Sequence, residues 1–491
     1  MRLVINADIE KNQISKYIYG HFSEHLGRCI YGGVYVGDDP EIPNIEGMRT
    51  DIIEALKQIR IPVLRWPGGC FADDYHWQDG IGPKEQRPSM VNKNWGGVTE
   101  DNSFGTHEFL RFCELIGAEP YINGNVGSGT VREMRDWVEY MTFDGKSPMA
   151  DQRRANGQED PWKVQFFGIG NEAWGCGGNM RPEYYADEFR KFNTYLYNYG
   201  DNKLFRIASG ASDNDYNWTR TLMDRIGSRM DGIAVHHYSV AGTWAHKGSA
   251  LDFTEDEWAA SMKSSWWMDE LITRHSAIMD EFDPEKKIWL IVDEWGNWHD
   301  VEEGTNPGFL YQQNSVRDAV VAGMILNIFN HHSDRVRMAN IAQMVNVLQS
   351  VILTEGTAMV KTPTYHVFDM YKDHQDATLV DAPEIDVPAY KHGDICIPAV
   401  TSSASKQADG TLLVTFSNAD PCEAHKVMID VRGKAVHEVQ GQVLTGDAMN
   451  AANTFEAPDT VHPVPFEGIV TEDCVIQVEL PARSVVSLTI R

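Results

Sequence analysis

Two glutamates of this sequence each end a short apolar run, where an unpaired charge would be out of place. Glu172 closes the segment QFFGIGNE, and Glu294 closes IWLIVDE. Hydrolysis of a glycosidic bond needs two such groups, because one carboxylic acid protonates the leaving oxygen while a carboxylate attacks the anomeric carbon. One glutamate alone would more simply be a solvated loop residue. Two glutamates at the ends of strands four and seven, which would face each other across a barrel, favour catalysis.

The elements that would position these glutamates alternate in type along the chain. Between about residues 15 and 380, short apolar runs alternate with longer patterns of helical period, which predicts parallel strands joined by helices. The predicted strands are Tyr17–His25, Val63–Trp66, Pro120–Val126, Gln165–Glu172, Arg206–Ser212, Ile233–Ser239, Ile288–Trp295 and Met338–Leu348. The clearest predicted helices are Met48–Ile59, His107–Ile116, Pro182–Tyr199, Glu255–Met279 and Tyr311–His331.

Eight such units predict an α/β fold, a (β/α)₈ TIM barrel over residues 15–380. A doubly wound open sheet is the alternative, but GHFSEHLG does not fit the glycine fingerprint of its first turn. After residue 380 the helical period disappears, and strand-like runs alternate with turns rich in Gly, Pro, Asn and Asp. This sequence pattern predicts an antiparallel, jelly-roll-like β-sandwich formed by residues 381–491, to which residues 1–14 add a strand.

Other polar and aromatic residues fall at the same predicted strand ends. Tryptophans that offer flat apolar faces to sugar rings are Trp66, Trp77, Trp95, Trp174, Trp295 and Trp298. Of the pair His236 and His237, only one can face the barrel mouth, because adjacent strand residues point to opposite sides. We therefore expect a hydrogen-bonding histidine and no metal site. Cys70 has no clear histidine partner, so we predict a small packed or substrate-contacting residue.

Composition excludes several classes of partner. The net charge of −28 is unfavourable for binding nucleic acid or an anionic membrane. Seven scattered cysteines without a CxxC pair suggest a reducing compartment, and the first twenty residues lack an apolar leader segment. We therefore expect a cytoplasmic protein that needs no cofactor.

The motifs around these positions resemble the α-L-arabinofuranosidases of glycoside hydrolase family 51. The segments that carry the resemblance are FSEHLGRCIYGG (22–33), LRWPGGCFADDYHWQDGIGP (64–83), GIGNEAWGCGG (168–178), HHYS (236–239), VDEWGNWH (292–299) and NVLQS (346–350). The resemblance implies a retaining exo-glycosidase that acts on arabinan or arabinoxylan oligosaccharides. It also implies a homo-oligomer, in many members a hexamer.

The resemblance assigns a role to each matching residue. Glu172 matches the general acid/base and Glu294 the nucleophile. The residues implied to contact the substrate are Glu24, Cys70, Trp95, Asn171, His236, Tyr238, Trp298 and Gln349. Three alternatives stay open at this point: another glycosidase specificity, such as an endo-β-glucanase or β-xylosidase; a metal-dependent sugar isomerase; and a catalytically silent carbohydrate-binding protein.

Overall fold

The computed structural model describes all 491 residues and contains a closed barrel of eight parallel strands. Each strand pairs with the next in chain order, and the first pairs with the last. The strands are β1 (Gly20–Phe22), β2 (Val63–Trp66), β3 (Glu119–Gly124), β4 (Phe166–Ile169), β5 (Phe205–Ser212), β6 (Gly232–Ser239), β7 (Trp289–Asn297) and β8 (Val336–Ile341). The TIM barrel predicted from the sequence is confirmed.

Nine α-helices accompany the strands. They are α1 (Thr50–Gln58), α2 (Thr106–Ile116), α3 (Val131–Thr142), α4 (Pro148–Ala155), α5 (Pro182–Thr194), α6 (Tyr216–Ile226), α7 (Glu255–Phe282), α8 (Val316–His331) and α9 (Pro363–Tyr371). Their starts follow from local sequence. Proline opens α4, α5 and α9, and Thr254 and Ser315 begin capping boxes at α7 and α8. No helix is both long and apolar enough to cross a bilayer.

The remaining strands form a second, mainly antiparallel sheet of eleven strands. Its hydrogen-bonded order is Val464–Pro465, Val439–Leu444, Ser484–Ile490, Leu412–Asn418, Val400–Lys406, Thr378–Asp381, Arg2–Gln13, His425–Arg432, Val475–Leu480 and Val470–Glu472, with Glu384–Ile385 beside Arg2–Gln13. The N-terminal strand therefore lies inside the C-terminal sheet, antiparallel to Thr378–Asp381 and parallel to His425–Arg432. Four short hairpins complete the strands: Asn44–Ile45 with Met48–Arg49, Met90–Val91 with Thr99–Glu100, Ile352–Glu355 with Ala358–Lys361, and Ala389–His392 with Ile395–Pro398.

Helix α8 joins the two parts of the molecule. Every residue from Val316 to Asn330 is buried, as expected for a helix covered on all sides. Its polar side chains reach the sheet, where Asn327 donates to the carbonyl of Thr401 and Asn330 donates to the hydroxyl of Ser403. The barrel and the sheet therefore pack through a shared, hydrogen-bonded helix.

The barrel's first and last strands are shorter than the sequence patterns indicated. Lys16–Tyr19 forms a 3₁₀ turn, so β1 begins only at Gly20. Strand β8 ends at Ile341, and residues 342–348, which are mostly apolar, form a buried loop. Burial makes a loop sequence as apolar as a strand, which is why periodicity alone extended both strands too far.

Candidate active site

The two glutamates singled out by the sequence lie together at the carboxyl ends of the barrel strands. Glu172 follows β4, and Glu294 lies near the end of β7. One oxygen of each, together with a ring nitrogen of His236, lie within 4.8 Å of one another. So close an approach is compatible with direct attack on the anomeric carbon, which needs carboxyl groups ~5–5.5 Å apart, and leaves no room for the water that a separation of ~6.5–9.5 Å would admit.

Glu294 is fixed by donors on both of its oxygens. Arg65 Nη1 donates to Oε1 at 2.9 Å, and the Tyr238 hydroxyl donates to Oε2 at 2.7 Å. Arg65 is buried, and its other terminal nitrogen donates to the side chain of Asn171. Its guanidinium also lies beside Asp293, and these two carboxylates hold the pKa of Arg65 above its ordinary value despite burial. The sequence pattern VLRW contained this arginine, but its role was not recognised.

The surroundings of Glu172 shift its equilibrium toward the protonated form. Burial raises its pKa, and the charge of Glu294 raises it further, while the neighbouring His236 and Arg65 act in the opposite direction. Its backbone has a left-handed φ of 38°, which is uncommon for a residue with a side chain. Conformations of this kind cluster at functional sites.

Asp73 anchors the backbone before Glu172. Its carboxyl accepts hydrogen bonds from the amides of Val126, Gly127 and Asn171, at 2.7, 2.9 and 2.8 Å. Burial raises the pKa of Asp73 to about 7, although these amides favour its charged form. Asp73 therefore ties the loops after β2, β3 and β4 together beneath the acid.

His236 links three carboxyl groups. Its Nδ1 lies 2.9 Å from Glu172 Oε1 and 3.6 Å from Glu294 Oε2, and its Nε2 lies 3.0 Å from Asp293 Oδ1. Burial alone would lower the pKa of His236, but these carboxylates outweigh it and raise it to about 10. The imidazole is therefore a cation at neutral pH. His237, the next residue, turns away and contacts Asp213 and Ser264.

Glu24 forms the opposite wall of the site. Its Oε1 accepts from the amides of Gly69 and Phe71 and from Trp95 Nε1, and its Oε2 accepts from Gln343 Nε2. Burial, and then the charge of Glu294, raise the pKa of Glu24 to about 7 despite these donors. A Cβ on Gly69 would lie 2.7 Å from Glu294 Oε1, so only glycine lets this loop approach Glu294 so closely.

Gln349 is a correction to the sequence-based assignment. Its side chain is fully buried, accepts from the amide of Asn297, and donates to Asp318 and Thr364. Both amide hydrogens are therefore used inside the protein, and the oxygen is held by the backbone of β7. Gln343, which lies only two residues beyond β8, takes the position beside Glu24 instead. Distance from the strand end, rather than the NVLQS motif, was the signal that could have found it.

We expect Gln349→Ala to lower the free energy of unfolding by about 1–3 kcal/mol, because three buried partners lose their hydrogen bonds. Urea titration measures this change, with the exposed Gln477→Ala as the matched control. If Gln349→Ala leaves the free energy of unfolding unchanged but raises the KM for the glycoside substrate, the result would instead support a sugar-binding role for Gln349.

Cys70 lies at the site, but as one half of a disulfide. It is bonded to Cys176, with the two Cα atoms 5.4 Å apart. The bond joins the loop after β2 to the loop after β4, and Cys176 Sγ lies 3.5 Å from Glu172 Oε2. The scattered cysteine spacing gave no indication of this pair, since it arises only when the two loops meet. The other five cysteines are free.

The tryptophans divide into two groups. Trp66, Trp77 and Trp295 are fully buried core residues, contrary to the expectation that they lie at the rim. Trp95 contacts Glu24, whereas Trp174 and Trp298 line a cavity of about 340 Å³ beside Glu172. We call this space the aglycone cavity; its lining residues are Glu172, Trp174, Ser212, Asp213, His236, Tyr238, Trp244 and Trp298. Because Glu172 lines the cavity and Glu294 does not, the cavity lies on the Glu172 side of the pair.

Comparison with known proteins gives consistent matches along the chain. Residues 55–256 match the model of the α-L-arabinofuranosidase 1 domain, and residues 293–484 match that of the α-L-arabinofuranosidase C-terminal domain. A relative from Bacteroides ovatus, named intracellular exo-α-L-arabinofuranosidase, is 53% identical over 492 aligned positions, which cover 100% of this chain and 95% of the relative.

Solved structures agree in fold over the whole length. The family 51 arabinofuranosidase from Xanthomonas axonopodis pv. citri has a TM-score of 0.98 and 49% identity, covering 100% of this chain and 99% of its own. An α-L-arabinofuranosidase from Thermotoga maritima, solved as an arabinose complex, has a TM-score of 0.88 and 31% identity, covering 99% of both chains. The barrel and the C-terminal sheet are therefore matched together.

Proposed function

The chain belongs to the α-L-arabinofuranosidases of glycoside hydrolase family 51, and we propose that Glu294 is its nucleophile and Glu172 its general acid/base. It is a glycoside hydrolase that acts on arabinose-containing glycans and releases terminal α-L-arabinofuranosyl residues. The observation that carries the assignment is the approach of the two carboxyl groups, within 4.8 Å and bridged by His236. Family membership decides against a sugar isomerase or a silent binding protein.

In the first step, a carboxylate oxygen of Glu294 attacks the anomeric carbon of the bound arabinofuranose. Arg65 and Tyr238 hold that carboxylate by hydrogen bonds, which keeps it aligned as the new bond forms. Glu172 donates its proton to the glycosidic oxygen, and the leaving group departs through the aglycone cavity. The product of this step is a glycosyl-enzyme ester at Glu294.

The second step reverses the proton transfer. The ester has no charge, so Glu294 no longer raises the pKa of Glu172, and Glu172 ionises more readily. Glu172 then takes a proton from water, which attacks the anomeric carbon and frees Glu294. Two inversions leave the product in its original anomeric configuration.

The sugar itself is proposed to lie between Glu24, Asn171 and Trp95. The buried carboxyl of Glu24 offers an acceptor, and the amide nitrogen of Asn171 offers a donor next to Arg65. Gln343 adds a buried side-chain oxygen without a partner in the protein. An unpaired buried acceptor is costly unless a ligand donates to it, which supports a polar substrate here.

The pH profile tests the electrostatic part of this proposal. His236 is a cation beside Glu172 and lowers the pKa of that acid, so His236→Gln should raise it. Glu172 must be protonated to expel a poor leaving group, so the basic limb of kcat/KM for methyl α-L-arabinofuranoside, whose methanol leaving group needs that proton, should move to higher pH. In the neighbouring control His237→Gln the limb should stay in place. A basic limb that is unmoved or lower in His236→Gln would contradict the assignment.

Location and assembly are inferred from the relatives. The Bacteroides ovatus relative is named as intracellular, and the acidic surface suits work on small imported oligosaccharides from arabinan or arabinoxylan. The aglycone cavity, which accommodates a leaving group beyond one terminal residue, agrees with this size of substrate. The chain is further proposed to form a homo-oligomer, as in other members of the family.

A further inference from the structure

Asp213 is a fixed acidic residue in the wall of the aglycone cavity, one position beyond β5. Its backbone has a left-handed φ of 43°. Its amide donates to the carbonyl of His236 at 2.9 Å, and its own carbonyl accepts from His275 Nε2 at 2.8 Å. The residue is therefore held in place from both sides, while its side chain remains 28% exposed.

His237 orients the carboxylate of Asp213. Its Nδ1 lies 2.7 Å from Asp213 Oδ1, and its Nε2 lies 2.9 Å from the carbonyl oxygen of Ser264. The carbonyl of Ser264 and the carboxylate of Asp213 only accept, so both ring nitrogens donate and the ring orientation is fixed. The second carboxylate oxygen, Oδ2, has no hydrogen-bond partner in the chain. A positioned acceptor with one free oxygen is thus present where the leaving group would lie.

The other walls of the aglycone cavity do not offer such an acceptor. Trp174, Trp244 and Trp298 present aromatic surfaces, and Trp244 and Trp298 meet edge to face with centroids 5.5 Å apart. Glu172, His236 and Tyr238 are engaged with the nucleophile or with each other. Ser212 and Asp213 are the polar lining residues that remain.

We propose that Asp213 accepts a hydrogen bond from a hydroxyl group of the leaving-group sugar and thereby selects sugar leaving groups over those without hydroxyls. The inference rests on the proposed function, because the cavity holds the leaving group only if Glu172 is the acid. The aromatic walls take the apolar face of the sugar ring, and Asp213 fixes its rotation. Asp213 does not touch the reacting atoms.

Three substrates with the same arabinofuranosyl group test this inference. They are α-1,5-L-arabinobiose, methyl α-L-arabinofuranoside, whose leaving group is equally unreactive but has no hydroxyl to offer, and 4-nitrophenyl α-L-arabinofuranoside. The variants are Asp213→Asn and Asp213→Gly, because both residues tolerate a left-handed backbone. The exposed Asp224→Asn on α6 is the charge-matched control.

For Asp213→Gly we expect kcat/KM for arabinobiose to fall about 10- to 100-fold, the usual effect of losing a hydrogen bond to a charged group. In the same variant, kcat/KM for the methyl and aryl substrates should fall much less. For Asp213→Asn, kcat/KM for arabinobiose should lie between the values of wild type and Asp213→Gly. An equal loss on all three substrates would show a merely structural role, and no loss on arabinobiose would show no contact; either result overturns the inference. Failure of wild type on the aryl substrate would instead refute the proposed function.

Discussion

Replacing Glu294 with alanine should reduce kcat for 4-nitrophenyl α-L-arabinofuranoside by about 10⁴-fold or more, as removal of a catalytic nucleophile does in other enzymes. The geometry explains why no neighbour can substitute. Asp293 is the nearest carboxylate in sequence, but Tyr121, Arg65 and His236 all contact it. These partners hold its pKa low and keep it bound away from the sugar.

Added azide identifies the role of Glu294. In Glu294→Ala the small anion can enter the space of the lost carboxylate and attack the anomeric carbon while Glu172 still donates its proton. One inversion gives β-L-arabinofuranosyl azide, which is distinguished from the α-azide by NMR spectroscopy. Glu303→Ala, an exposed position in the loop after β7, serves as control. Substantial activity of Glu294→Ala without azide would contradict the proposed double-displacement mechanism.

Much of this site could be predicted because it follows from strand ends. An apolar run that closes with a charged residue marks both Glu172 and Glu294, and eight such units require a barrel that brings their ends together. The alternation of strand residues implied that only one of His236 and His237 faces the site, and the family resemblance assigned His236. The local sequence pattern was therefore sufficient to predict a site residue wherever that residue lies at the end of a barrel strand.

Other features depend on loops that approach each other from distant parts of the chain. The pair Cys70 and Cys176 is separated by 106 positions. Trp244 reaches the cavity only through the conformation of the loop after β6. Gln349 was mistaken for Gln343 because the loop after β8 is as apolar as a strand and hides where the strand ends. The periodicity of the sequence does not show which distant loops come into contact, because those contacts result from tertiary packing.

Glu172→Ala should show a loss that depends on the leaving group. A sugar alkoxide must be protonated as it departs, so kcat/KM for α-1,5-L-arabinobiose should fall about 10²- to 10⁴-fold, the usual contribution of general acid catalysis. The 4-nitrophenolate ion leaves without help, so kcat/KM for the aryl substrate should fall far less. Steady-state kinetics on the two substrates measure the difference, with Glu303→Ala again as control.

The second half of the cycle gives Glu172→Ala a further signature. Without a base to activate water, the glycosyl-enzyme on Glu294 accumulates and limits turnover of the aryl substrate. Azide needs no deprotonation, so it should restore kcat and give α-L-arabinofuranosyl azide, the product of two inversions. Equal losses on both substrates, or a β-azide, would mean that Glu172 is not the acid/base. Cys176 also contacts Glu172, but its sulfur is bonded to Cys70 and carries no proton, so it cannot take over the proton transfers.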